Sequence, residues 1–194
     1  MAETGQGTGR DSEQVTRHAH PGRGGRAVPH TKGRQLDADA QDEIRALLGD
    51  ASRSRDLLIE HLHLIQDRYG CLSAGHLVAL ADEMRMALTE IYEVATFYAH
   101  FDVVTDETDR PPPVTIRVCD SIACEMMGSE ALLKALAAKA GAEIRILRAP
   151  CMGACDKAPA AAIGHAQIAP ATADKLLEAA ERRQTHPKLP DILG

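Results

Sequence analysis

Four of the five cysteines of this chain form two close pairs: Cys119-x4-Cys124 and Cys151-x3-Cys155. A run of β-branched residues at 114–118 ends at the first pair, and a second run at 143–148 ends shortly before the other pair. Such runs predict strands, so each pair is expected in a loop at the exit of a rigid element. Two strand ends can aim four sulfurs at one point.

Four thiolates from two loops form the ligand set of a [2Fe–2S] cluster, which takes two sulfurs on each iron. Three alternatives stand beside it. A structural Zn²⁺ also accepts four cysteines, although these loops are wider than C-x-x-C knuckles. Two disulfides require an oxidising compartment, and no signal-peptide pattern opens the chain. A thioredoxin-type redox pair needs C-x-x-C, which is absent. We favour one [2Fe–2S] cluster, ligated by Cys119, Cys124, Cys151 and Cys155.

The composition argues against membrane insertion and against general nucleic-acid binding. Hydrophobic residues make up 44% of the 194 residues, and no apolar run approaches the 18 residues of a span. The net charge of −6 disfavours nucleic acid as a partner. This length allows one domain or two small ones. We expect a cytoplasmic protein.

Residues 1–35 differ from the rest of the chain. They carry six Lys/Arg against three Asp/Glu, a local charge of +3, and 7 of the 15 glycines, but no Leu, Ile, Phe or Tyr. Such a segment buries too little apolar surface to offset the entropy of ordering it. We predict a disordered basic tail in which His18, His20 and His30 are solvated. Residues 186–194 are expected to form a C-terminal tail.

Helical spacing of apolar residues predicts a bundle of four helices at residues 36–101. The expected limits are a start after Asp37, a helix from Ser54 to Tyr69 stopped by Gly70, and N-caps at Ser73 and Thr89. Three histidines of this region, His61, His63 and His76, are expected to pack or face solvent rather than bind metal. Cys71 is expected to be a semi-buried thiol without a redox role.

Four of the five aromatic residues crowd into residues 92–101: Tyr92, Phe97, Tyr98 and Phe101. Such clustering indicates a packing junction or an interface anchor, and we favour core packing. Residues 102–113 hold five charged residues and three consecutive prolines. They predict an extended linker between two domains.

The remaining pattern predicts a second domain at residues 114–185. Its order is a strand at 114–118, a helix at 129–140, a strand at 143–148, a hairpin of 160–163 with 167–168, and a helix at 172–183. This order is compatible with a thioredoxin-like sheet, in which Pro159 is a candidate cis proline. The predicted fold is α+β: a small N-terminal helical bundle followed by a thioredoxin-like α/β domain.

The chain resembles a known family over about residues 40–183. The matching stretches are Tyr92-Glu-Val-Ala-Thr-Phe-Tyr98, Val118-Cys-Asp-Ser-Ile-Ala-Cys124, Cys151-Met-Gly-Ala-Cys155 and Ala158-Pro159. They resemble the thioredoxin-like [2Fe–2S] small subunit of the NADH-dehydrogenase module of complex I, the 24 kDa type. Relatives of that subunit serve NAD-linked formate dehydrogenases and NAD-reducing hydrogenases. Both cysteine loops look closest to the gamma subunit of NAD-dependent formate dehydrogenase.

The resemblance implies an electron-transfer subunit that has no catalytic residues of its own. FMN and NAD would lie on a partner flavoprotein, and a larger iron–sulfur or catalytic subunit would complete the complex. A complex I role would place the chain at the periphery of the inner membrane face. The alternative is a free-standing thioredoxin-like [2Fe–2S] ferredoxin or a zinc-bound interaction module. The helical bundle favours the complex, because a free carrier needs no docking domain. Gly153 is expected to turn its amide toward a cluster sulfur.

Overall fold

The structure, a computed structural model, describes residues 35–187 and contains two main hydrophobic cores. Four helices build the first core, and a four-stranded sheet with two helices builds the second. The predicted N-terminal tail, with His18, His20 and His30, lies outside the described residues except for Gln35. The predicted C-terminal tail also lies outside them, apart from residues 186 and 187.

The first core is a helical bundle. Its helices are α1 (Ala38–Leu48), α2 (Leu58–Tyr69), α3 (Ala74–Met84) and α4 (Leu88–Phe97). A 3₁₀ turn at Arg55–Leu57 precedes α2. The largest fully buried side chains are apolar and come from all four helices: Ile44, Leu62, Ile65, Leu77, Leu80 and Ile91. This periodic burial is what stabilises the bundle, because short helices depend on packing of one apolar face.

The helix ends follow the sequence except at α4. Asp37 Oδ1 accepts from the Ala40 N–H, Ser73 Oγ accepts from the His76 N–H, and Gly70 ends α2 in the left-handed region at φ 78°. Helix α4 begins earlier than predicted, with Ala87 rather than Thr89 at its N-cap. The Ala87 carbonyl accepts from two following N–H groups, so the first turn closes without a side-chain cap.

The first residues of the predicted linker belong to the bundle. Strand β1 (Leu72–Ser73) pairs in parallel with strand β2 (Val103–Val104). Asp102 is fixed on both sides, because its carbonyl accepts from the Leu72 N–H and its own N–H donates to Gln66 Oε1 at 2.6 Å. A 3₁₀ turn follows at Glu107–Asp109. The domain boundaries stay a prediction.

The second core surrounds a mixed sheet of strands β3 (Val114–Cys119), β4 (Ile144–Ala149), β5 (Ala161–Ile163) and β6 (Ala166–Ile168). The strand order is β4-β3-β5-β6; β3 and β4 are parallel, and the other two pairs are antiparallel. Helices α6 (Ser129–Lys139) and α7 (Ala173–Glu181) pack their leucines against strand residues such as Ile116 and Ile163. These elements confirm the predicted α+β class, and their ends differ from the predicted ones by one or two residues. A short helix, α5 (Ile122–Met126), was not predicted.

A buried arginine joins the sheet to the end of the bundle. Arg117 lies on β3 and is only 7% exposed. Its Nε donates to the Ala99 carbonyl at 3.1 Å, and its Nη2 donates to the His100 carbonyl at 2.7 Å. Nη2 also meets Asp102 Oδ2 at 2.8 Å, while Arg145 reaches Oδ1 of the same carboxylate. The segment that leaves the bundle is therefore held against β3 and β4.

The prediction that the aromatic cluster packs in the core is wrong for three of its four residues. Phe101 is buried, but Tyr92, Phe97 and Tyr98 are 45%, 79% and 42% exposed. Helix α4 buries only one stripe, made by Ile91 and Ala95. The other aromatic side chains lie off that stripe or at the helix end, so they remain on the surface.

Three further features bear on the predictions. Cys71 is 1% exposed, more deeply buried than expected. The Ala158–Pro159 peptide bond is cis, and so is Ala169–Pro170. Among the described residues, every helix is too short or too polar to cross a membrane.

Candidate metal centre

The four predicted ligands meet at one edge of the sheet. Cys119 is the last residue of β3, and it lies in register with Ala149, the last residue of β4. Because β3 and β4 are parallel, the loops that follow them leave from the same edge. The loop after β3 carries Cys124 on α5, and the loop after β4 carries Cys151 and Cys155. Residues far apart in sequence therefore converge, as the two strand ends predicted.

The sulfurs are close, and none of the five cysteines is in a disulfide. Cys151 Sγ lies 3.5 Å from Cys155 Sγ, and the thiols of Cys119 and Cys124 are hydrogen-bonded to each other. Cys119 and Cys124 are buried, whereas Cys151 and Cys155 are exposed. The site is thus closed on the side of the first pair and open on the side of the second.

Backbone groups hold the second loop around its sulfur. The Gly153 N–H points at Cys151 Sγ, with a nitrogen–sulfur distance of 3.5 Å. Gly153 has φ 82°, a conformation that strains residues with a Cβ. The predicted direction of this amide agrees with the structure. N–H donors of this kind stabilise negative charge on sulfur.

The thiol pKa values reflect both burial and mutual repulsion. Burial raises the pKa of the Cys124 thiol, and the negative charges of Cys119 and Cys151 raise it further. Burial also acts to raise the pKa of Cys119, but hydrogen bonds from the Ser121 backbone and from Cys124 outweigh it and leave the pKa below its ordinary value. The hydrogen bond and the charge of Cys151 raise the pKa of Cys155.

This donor set fits an iron–sulfur cluster. Four soft thiolates suit iron, and they repel one another until a cation neutralises them. Other candidate ligands are engaged elsewhere: His61 Nε2 lies 2.9 Å from the Ser52 carbonyl, and His76 Nε2 lies 2.8 Å from Glu43 Oε2. Cys71 belongs to the bundle, where the chain turns from α2 into β1. Helix α5, which sets the position of Cys124, is the element of the site that sequence reasoning missed.

The same region decides the family. Residues 44–184 match the thioredoxin-like [2Fe-2S] ferredoxin family. The chain belongs to this family. The thioredoxin-like resemblance drawn from the motifs is thereby confirmed, and so is the prediction of one [2Fe–2S] cluster as the cofactor.

Individual relatives agree with the family assignment. The chain is 34% identical over 116 residues to a subunit of NADH-quinone oxidoreductase from Aquifex aeolicus (strain VF5), covering 55% of this chain and 69% of that subunit. It is 28% identical over 162 residues to the subunit of the same name from Escherichia coli (strain K12), covering 77% of this chain and 95% of that subunit.

A solved structure shares the fold. It is a chain of an NAD⁺-reducing [NiFe]-hydrogenase in the air-oxidized state, with a TM-score of 0.51 and 25% identity over 70% of this chain. The present chain spans only 24% of that hydrogenase chain. It therefore corresponds to one part of a larger polypeptide there.

Proposed function

We propose that this protein is the electron-transfer subunit of an NAD(H)-linked multisubunit oxidoreductase. The observation that carries the proposal is the convergence of four thiols, from Cys119, Cys124, Cys151 and Cys155, in a chain of the [2Fe–2S] family. Relatives named as a subunit of NADH-quinone oxidoreductase support a role inside a complex. When bound by these thiolates, the cluster would accept and release single electrons. The chain then needs no acid, base or nucleophile of its own.

The surrounding residues set the charge and the access of the site. The Gly153 N–H and the Ser121 backbone place hydrogen bonds on Cys151 and Cys119, which offsets negative charge on the sulfurs. Burial of Cys119 keeps water away on the inner side. Because Cys151 and Cys155 are exposed, electrons should enter and leave on their side.

An exposed aromatic patch, defined as Tyr92, Phe97 and Tyr98, would dock the electron partner. Apolar side chains this exposed are typical anchors of protein interfaces. Tyr98 lines a groove of about 260 Å³ that Cys151 also lines. A protein that covers the aromatic patch would therefore also cover the exposed cysteine pair. We propose an FMN- and NAD-binding flavoprotein as this partner.

A second apolar surface lies beside the buried cysteine pair. Three exposed residues of α5 and its end contribute to it: Ile122 at 77%, Met126 at 81% and Met127 at 63%. Cys124 lies on the same short helix. A larger iron–sulfur or catalytic subunit would find an apolar contact here, within a few residues of a cluster ligand.

Within this class we favour the formate dehydrogenase type, with complex I and an NAD-reducing hydrogenase as the other candidates. The residues behind this choice are Asp120, Ser121, Glu125 and Met126 around the first cysteine pair, and Ala149-Pro150 before the second. The cytoplasm is the compartment we propose. Formate-dependent NAD⁺ reduction by the purified complex would support this choice, and its absence with active hydrogen or quinone chemistry would contradict it.

The docking role is testable in the full chain. Deleting the bundle is a poor test, because Arg117 would lose the carbonyls of Ala99 and His100. A surface variant, Phe97→Ser with Tyr98→Ser, removes apolar anchors without opening the core. The matched control is Leu64→Ser, since Leu64 is similarly exposed at 43% but does not line the groove.

Affinity capture of the tagged chain from its own cells provides the measurement. The unmodified chain and the control should bring down a flavoprotein, and the patch variant should lose at least about 90% of that flavin while keeping its visible iron–sulfur absorption. Retention of all the flavin by the patch variant would contradict the docking surface. Partners that carry no flavin would contradict the proposed function itself.

A further inference from the structure

A group of histidines lies where the helical bundle meets the sheet, away from the cysteine site. His63 and Asp67 are one turn apart on α2, His100 follows α4, and His165 lies in the turn between β5 and β6. His186 follows α7 and borders the group. None of the sequence patterns brought these residues together, and His63 alone had been considered, as a packing residue.

The three rings of His63, His100 and His165 form a compact triangle. The ring centroids of His63 and His100 are 4.7 Å apart, those of His63 and His165 are 4.9 Å apart, and those of His100 and His165 are 5.1 Å apart. One nitrogen from each ring lies within 4.8 Å of the nitrogens of the other two. Ligands of a tetrahedral Zn²⁺ with bonds of about 2.1 Å lie roughly 3.4 Å apart, so closing on the ion requires shifts of about 1 Å.

We propose that His63, His100 and His165 form a binding site for a divalent transition metal, Zn²⁺ being the ion that fits best. Imidazole is a preferred zinc ligand, and three imidazoles leave a fourth tetrahedral position for water. The site would be independent of the [2Fe–2S] cluster. Its ligands come from both cores, so the bound ion would fasten the bundle to the sheet.

Asp67 supplies the outer contact that metal-ligating histidines usually have. Its two carboxylate oxygens lie 3.0 Å and 2.9 Å from His165 Nε2. A carboxylate on one ring nitrogen orients the ring and makes the other nitrogen a better ligand. His165 would accordingly use Nδ1 for the metal.

The protonation state of the rings suits a cation. Burial is the main reason that the pKa of His100 lies at about 4, and the neighbouring His63, Arg117 and His165 lower it further. Burial and His165 also lower the pKa of His63. Both rings are therefore neutral at neutral pH, as metal binding requires. Within the described residues, the buried Nδ1 of His63 has no hydrogen-bond partner.

Arg117 is the one nearby positive charge that opposes a cation. Its guanidinium is engaged by Asp102 at 2.8 Å and by two backbone carbonyls. Asp102 neutralises much of the arginine charge, and Asp67 adds a negative charge directly beside His165. The local balance therefore does not exclude a divalent ion.

A glycine fixes the position of His165. Gly164 has φ 55°, and a Cβ on it would lie 2.8 Å from the Thr185 carbonyl. That carbonyl accepts from the N–H of His165 at 2.7 Å and from the N–H of Ala166 at 3.0 Å. The turn is thus anchored to the segment after α7, which holds one face of the triangle in place.

The test titrates Zn²⁺ alone into the full chain with its cluster bound, so that the cluster cysteines are occupied. His18, His20 and His30 are first replaced by Asn, because a tail with three histidines can bind Zn²⁺ by itself. Competition with a fluorescent zinc chelator should show one Zn²⁺ per chain. X-ray absorption at the zinc edge should show nitrogen or oxygen neighbours at about 2.0–2.1 Å.

Variants identify the ligands. His100→Asn and His165→Asn should each weaken Zn²⁺ binding at least about tenfold and abolish the rise in melting temperature that Zn²⁺ gives the parent. His76→Asn is the matched control, since His76 is a bundle histidine paired with Glu43, and it should bind Zn²⁺ like the parent. The two ligand variants and the absorption spectrum of the parent are independent, so the failure of one variant to fold leaves the test intact.

Three results would overturn the proposal. The first is no stoichiometric Zn²⁺ in the parent, and the second is sulfur neighbours at about 2.3 Å. The third is full binding in His100→Asn with loss only in His186→Asn. That last result would move the ion to Asp67, His165 and His186, whose ligand atoms also lie within 4.8 Å of one another.

Discussion

Arg117 and Asp102 form an ion pair, with 2.8 Å between Nη2 and Oδ2, that ties the cluster-bearing sheet to the end of the helical bundle. Their side chains are only 8% and 15% exposed. The pair is reinforced by Arg145 on the same carboxylate and by the carbonyls of Ala99 and His100. The two cores are therefore joined by charge-assisted contacts in a poorly solvated place.

Replacing Arg117 by Met should lower the free energy of unfolding by about 3 kcal/mol, because the partners of a buried ion pair are left without compensation. The control is Lys139→Met, which breaks the exposed Lys139–Asp174 pair and should change stability by less than about 1 kcal/mol. Urea unfolding of the full chain provides the measurement. Equal effects of the two substitutions would show that the junction carries little energy.

Single replacement of Cys119, Cys124, Cys151 or Cys155 by Ala should remove the cluster and much of the stability of the domain, since metal-binding energy is folding energy at such sites. Cys71→Ala should retain the visible absorption, with a loss of about 1 kcal/mol from its buried position. Iron content and melting temperature check both statements. Loss of the chromophore in Cys71→Ala, with retention in one of the other four, would refute the ligand set.

Gly164→Ala should destabilise the protein more than Gly70→Ala does. Both glycines have positive φ, at 55° and 78°, which costs a residue with a Cβ about 1 kcal/mol. Only Gly164 faces an obstacle: its Cβ would lie 2.8 Å from the Thr185 carbonyl, whereas nothing lies within 4 Å at Gly70. We expect a difference of at least about 1 kcal/mol in urea unfolding. Similar losses for both variants would contradict the close approach.

Acid should weaken the fold through His100 and His63. The pKa of His100 lies at about 4, and the pKa of His63 also lies below 6.5, the ordinary value that both regain on unfolding. The unfolded chain therefore binds more protons between pH 6.5 and 4. Stability from these rings is complete above pH 6.5 and is lost as the pH falls through this window.

His100→Asn should make the loss of stability between pH 7 and pH 5 shallower than in the parent, because one of the two shifted groups is gone. Midpoints of urea unfolding at both pH values, without added Zn²⁺, give the comparison. Contributions common to both proteins cancel in the difference. A parent slope no steeper than that of the variant would contradict burial of a neutral His100.

Most of the fold was predictable because its determinants are local. Apolar periodicity located the helices, β-branched runs located β3 and β4, and Gly70 stopped α2 as expected. The cysteine site was predictable for the same reason, since each pair follows a strand and the two strands are parallel neighbours. Local chemistry at Gly153 also indicated the direction of its amide.

Features made by distant residues were not predictable. Arg117 on a strand suggests a solvated side chain, and only the folded junction shows why it is buried. Asp67 and His165 are 98 positions apart and meet only through the packing of the two cores. The aromatic residues misled because clustering reveals neither which stripe of α4 is buried nor which helix covers it.

The most direct test of the central claim is an electron paramagnetic resonance spectrum of the reduced full chain, purified anaerobically and quantified per polypeptide. We predict one rhombic S = 1/2 signal per chain, with two irons and two sulfides in the same sample. A sample that contains stoichiometric zinc, lacks iron and gives no such signal would contradict a [2Fe–2S] electron-transfer subunit.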